Sequence, residues 1–275
     1  SSESQSGNVI VSSGNSSSDS GVLVMKTGDS TNSAAGDIVL DVGSTSGGGS
    51  GGSIIGASGV GATGGDINFI AGSGELGAGG NVNIKSGSTQ DLASDSGNSL
   101  ISSADAQGSS GSFSISSGTS GMSDSGIVSI SSGNSRSGRA GNVLVGTGSS
   151  DTTVGADVLI SAGESTAQRG IGGDVNVLAG IGEEGGDVML HAGEGVKGNG
   201  GSLNILGGMS SGGVGTGGSV IILGGEGIDG ASVGGSVSIG GGSSTDSIGG
   251  SLLLSGGSSE TASTGSISMR SSDAS

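Results

Sequence analysis

Apolar residues recur along this chain in one frame: Gly, one residue, apolar, one residue, apolar, two residues, Gly. The stretch GGDVNVLAGIGEEGGDVMLHAGEG, residues 172–195, states it twice. The frame begins at Gly7, Gly21, Gly36, Gly52, Gly65, Gly80, Gly97, Gly111, Gly126, Gly141, Ala156, Gly173, Gly186, Gly201, Gly218, Gly235, Gly250 and Gly265, eighteen units in all. Seventeen steps of 13 to 17 residues cover 258 residues, a mean period of about 15. Position three is apolar in seventeen units, Ser99 being the exception, and position five in seventeen, Gly56 being the exception. Position seven is small in all but Val42, and position eight is Gly in all but Ala104 and Ser272.

Alternation at positions three, five and seven predicts a strand of about six residues with one sheltered face. Flanking glycines predict its ends, supplying the positive φ of tight corners. A helix is poorly compatible with the frame, because a Gly every seven or eight residues costs about 1 kcal/mol each in a helix interior. Like residues at like places then predict an all-β fold: a parallel β-solenoid (β-helix) of about eighteen rungs, with a repeat of about 15 residues. The alternatives are an antiparallel array of hairpins, which should alternate two kinds of turn, and a disordered Gly/Ser-rich chain. In that fold positions three and five form the core ladders. The returns, such as GNSRSGRA and GESTAQRGIG, form an exposed edge of variable length. The frame runs through residues 1–275 as one continuous array, which we expect to be a segment of a longer chain.

Composition narrows the functions. Of 275 residues 68 are Gly, two are aromatic, and none is Cys, Pro, Trp or Tyr. The formal charge is −17, from 24 acids and 7 bases, so no nucleic acid is expected as a partner, since phosphate affinity needs Lys and Arg. Without Cys there is no disulfide framework and no thiolate metal site. No apolar run is long enough to span a bilayer.

Chemistry has few places to reside. Position two is Asp, Asn or Ser in sixteen units and reads first as a corner residue bonding nearby amides. Its candidate metal ligands are Asp174 and Asp187, which would stack one rung apart; two such charges about 5 Å apart in water repel by only ~1 kcal/mol. Calcium is the cation considered, but the nonapeptide β-roll places its Asp differently and at a shorter period. No other cofactor is expected. The glycine string GVGATG, residues 59–64, matches a dinucleotide fingerprint with no helix to follow it. His191, the lone histidine, has no titratable partner, and no nucleophile, base and acid set stands out, so no catalytic residue and no enzyme activity are expected. Position four, apolar in ten units, predicts a face for lateral association.

Repeats such as GGNVNIKSGS, GGDVNVLAG and GGSVSIGGGSS resemble the Gly/Ser-rich arrays of large secreted cell-surface proteins of diatoms and related algae. The resemblance implies an extracellular fibrous or adhesive protein and carries over no catalytic residue. The expected function is structural: a rigid solenoid shaft or filament segment of an extracellular fibre, matrix or cell-surface appendage, self-associating end to end or laterally. The rival is a cation-dependent adhesin that binds polysaccharide or mineral surfaces. Expected partners are therefore further copies, other matrix proteins, polysaccharide or divalent cations.

Overall fold

The computed structural model describes residues 6–212 and 215–271; Ser272, the position-eight residue of the last unit, lies outside them. The chain divides into two units, Ser1–Ser131 and Ser132–Ser275, and the repeat frame passes through both.

Neither unit contains a helix or a strand among the described residues, and this overturns the expected β-solenoid. A solenoid needs backbone bonds between residues about 15 apart. The backbone bonds here are local instead. Gly80 donates to the Gly72 carbonyl at 2.9 Å, Gly97 to Gly87 at 2.9 Å, and Gly250 to Gly242 at 2.8 Å. Each joins position one of a unit to position eight of the unit before it. The same bond closes returns onto Gly65, Gly173, Gly186, Gly201, Gly218, Gly235 and Gly265, ten closures in all, at 2.8 to 3.1 Å. Every unit is thus an eight-residue arm followed by a return, and most returns are tied shut at their mouths. Positions two to six of the arms take part in no backbone–backbone bond among the described residues.

The expected core is absent for the same reason. No described residue is buried. The accessible surface of the chain is 27496 Å², more than twice the roughly 12,000 Å² that two compact units of this size would leave. The apolar period is still visible as a gradient of cover. Position three is 48 to 64% exposed in every described apolar member except Val9, whereas the apolar residues at position four are 70 to 94% exposed. Position five lies between, from 59% at Ile222 to 85% at Met269. Alternation therefore orders the side chains without stacking one unit's column on the next. Two aliphatic ladder side chains per unit could gain about 1.5 to 3 kcal/mol each on full burial, while ordering the residues of a unit costs about 1 to 2 kcal/mol of backbone entropy each, and more for Gly.

The glycines also act differently from expectation. Among the described residues only Gly48, at φ 80°, and Arg169, at φ 60°, have positive φ. The frame glycines serve close approach instead. A Cβ on Gly80 would lie 3.5 Å from the Ala71 Cβ, and one on Gly141 would lie 3.8 Å from the Ser132 Cβ. Position one is thus pressed against position seven of the preceding unit, which is why both are small.

Candidate functional site

The recurring return is the one local structure the sequence builds many times, and its parts can be assigned residue by residue. Its mouth is the closure between positions eight and one. Eight of the ten closed returns exit through a Gly-Gly doublet, for example Gly79 and Gly80 or Gly249 and Gly250; of the seven others only one does, at Gly51 and Gly52. A Cβ on the first glycine of the doublet would stand 3.4 Å from the accepting carbonyl at Gly249 and 3.5 Å from it at Gly79. With both residues bare, the carbonyl is left open to the donor.

Position seven decides how closely the arms meet. In Gly207, Gly224, Gly241 and Gly256 it is Gly, and an added methyl would strike the carbonyl oxygen of Gly218, Gly235, Gly250 or Gly265. In other units it carries a hydroxyl aimed at the same carbonyl. Ser58 Oγ donates to the Gly65 carbonyl at 2.8 Å, Thr27 Oγ1 to Gly36 at 2.9 Å and Thr147 Oγ1 to Ala156 at 3.4 Å. The Thr27 and Thr147 bonds hold returns that have no backbone closure. Val42, the branched exception at position seven, faces Gly52, where a Cβ would collide with its Cγ1, and that return is not closed.

Position ten opens the return, and its pattern escaped the sequence reading. It is Ser or Thr in eleven units, Gly in five and Ala in two. In nine of the eleven the hydroxyl accepts an amide two or three residues ahead. Ser135 takes Gly138 at 3.0 Å, Ser244 takes Ser247 at 3.0 Å, and Ser259 takes Ala262 at 2.9 Å. Ser16, Ser30, Thr45, Thr89, Ser120 and Ser150 do the same. Such a hydroxyl mimics a backbone turn. Where position ten is Gly, the return folds across it: a Cβ on Gly61 would lie 2.9 Å from the Thr63 carbonyl oxygen, and one on Gly182 would lie 2.7 Å from that of Glu184. The signal was a column of serines three residues past each position seven, concealed by the abundance of Ser elsewhere.

The most elaborated return is 88–96. Asp91 donates its amide to the Thr89 hydroxyl oxygen at 3.1 Å, accepts the Ala93 amide at Oδ1 at 3.1 Å, and accepts the Ser94 hydroxyl at Oδ2 at 2.6 Å. These bonds, Ser94 first and the Ala93 amide second, hold the Asp91 carboxyl below its usual value.

The expected corner role of position two is taken over by positions seven and ten, since no position-two side chain makes a hydrogen bond among the described residues. Asp174 and Asp187 each follow a closed return, directly after Gly173 and Gly186. No backbone ladder joins their units to fix the spacing that stacking would impose. No cluster of three or more acidic or histidine side chains forms among the described residues. His191 is exposed in its arm, and GVGATG forms most of the return that Gly65 closes onto Gly59. The described surface holds no cavity, and no helix is long and apolar enough to cross a membrane. No family model, curated protein or solved structure matches the chain.

Proposed function

We propose that the chain is a structural repeat segment of an extracellular fibre, matrix or cell-surface appendage, and not an enzyme. The observation that carries this reading is repetition without a special place. One closure is made ten times with returns of different length, and the arms between them are alike. A catalytic or ligand site concentrates unlike groups at one point, whereas a spacer distributes like groups evenly. The proposal keeps the expected role and drops the solenoid shaft that was to perform it: length comes from many short arms punctuated by tied returns.

Immunogold labelling of intact source cells and of their extracellular material tests the proposal. Label confined to the wall, matrix or appendage supports it; label in the cytosol contradicts it.

A second reading, a cation-dependent adhesin, draws support from the placement of charge. Six acids and three bases lie in the arms, while eighteen acids and four bases lie in the returns and termini, which therefore carry −14 of the −17. Adsorption to polysaccharide or mineral that survives a chelator would remove this reading.

A further inference from the structure

The arms present the recurrent exposed apolar side chains of this surface at positions three, four and five. We infer that they are docking surfaces for a second copy of this chain, which lies arm against arm with the first while the charged returns of both remain outside. The inference rests on the structural reading above and names the partner and the contact surface.

Three observations select a second copy over other occupants. The first is area. A stable protein interface buries about 1,600 Å² in total, and the chain exposes 27496 Å², roughly 15,000 Å² beyond what two compact units would leave. A few arms per copy would suffice.

The second is charge. The arms carry a net charge of −3 over eighteen units, against −14 in the returns and termini. A basic protein or a cation would be drawn to the returns and would leave the arms uncovered. A copy of the same chain meets nearly neutral arms with nearly neutral arms, and its own returns can point away.

The third is register. Closure at 2.8 to 3.1 Å spans six residues from Gly59 to Gly65, eight from Gly72 to Gly80 and ten from Gly87 to Gly97. Differences in return length are looped out at the mouth, so each tied return delivers the next arm at the same juncture. Arms of constant length therefore recur whatever the return between them. Another array of this frame presents matching arms, with apolar positions three and five and, at positions two to six, backbone N–H and C=O groups that make no backbone–backbone bond among the described residues. Unpaired backbone beside apolar side chains is a template for a like segment. The dense negative returns set the opposing force, which salt weakens at separations beyond about 8 Å at physiological ionic strength.

The test is sedimentation velocity on the full 275-residue chain from low to high micromolar concentration, at low and at moderate salt. Concentration-dependent association that strengthens with sodium chloride is expected. The variant Val143→Ser, Val158→Ser, Val175→Ser, Val188→Ser, Leu203→Ser and Val220→Ser removes no buried side chain. It is expected to raise the association concentration at least tenfold, while the Gly173, Gly186 and Gly201 amides keep their exchange rates in dilute solution. A second variant, Glu183→Gln with Glu184→Gln, Glu194→Gln and Glu226→Gln, is expected to lower the association concentration several-fold. A chain monomeric at every concentration and salt, or one whose association ignores the arm variant, overturns the inference. If such a chain were nevertheless found in extracellular material, the structural reading would stand and the docking surface alone would fall.

Discussion

Gly218 donates its amide to the Gly208 carbonyl at 2.8 Å, and its own carbonyl lies so close to Gly207 that a methyl group there would strike it. Two successive residues of one arm are thus held against the first residue of the next. The expected consequence of Gly207→Ala is an opened return. Loss of one such hydrogen bond is worth about 1 kcal/mol, so exchange of the Gly218 amide should speed up about fivefold. Gly141→Ala is the matched control. Its nearest neighbour would be the Ser132 Cβ at 3.8 Å, and the return before it has no backbone closure to lose, so amide exchange nearby should be unchanged.

Position ten predicts a second, independent effect. Ser135→Ala removes the acceptor of the Gly138 amide, and Ser259→Ala removes that of Ala262. Each return should lose about 0.5 to 1 kcal/mol of local order. The check is a several-fold faster exchange of the Gly138 or Ala262 amide, with the neighbouring returns unaffected.

The return at Asp91 should respond to acid. Its carboxyl is held below the usual 3.8 by the Ser94 hydroxyl and then by the Ala93 amide. A depressed carboxyl contributes stability that is fully present above the unfolded value of 3.8 and is lost as pH falls through the lower folded value. The Ala93 amide resonance should therefore titrate below pH 3.8, and Ser94→Ala should bring that midpoint back toward the ordinary value.

Arg169 stands at φ 60° in the turn that Gly170 closes onto Ala167 at 3.0 Å. A left-handed backbone costs a residue with a Cβ about 1 kcal/mol or more. Arg169→Gly should tighten this turn and slow exchange of the Gly170 amide about fivefold, the greater freedom of Gly in the unfolded chain being the opposing effect.

Much of the frame was legible from residues alone, and the reason the rest was not is specific. The period, the arm and the gradient from position three to position four follow from alternating apolar residues, whatever those residues pack against. The partner of each arm does not. Small residues at position seven and Gly at position one fit a solenoid corner and fit the observed closure equally well, because both need two backbones to approach. Closures such as the bond from Gly80 to Gly72 distinguish them, and they join glycines, which leave no side-chain signature. The hydroxyls at Ser135 and Ser259 were legible in principle, yet serine was too common for a column of it to stand out. The expected stacking of Asp174 and Asp187 presupposes a backbone ladder between their units, and no such ladder occurs among the described residues.

Absence of a core predicts an absent transition. A packed array of this length would unfold with an enthalpy of about 0.7 kcal/mol per residue. Calorimetry of the dilute chain should instead show no cooperative endotherm, because no described residue is buried.

Residue-resolved amide exchange on the isotope-labelled chain, at a concentration where it sediments as a monomer, tests the account most directly. Slow exchange is predicted at Gly65, Gly80, Gly97, Gly173, Gly186, Gly201, Gly218, Gly235, Gly250 and Gly265, and fast exchange at the position-three amides between them. Protection spread along the arms at Val175, Val188, Leu203 and Val220, with none at the closures, would contradict it.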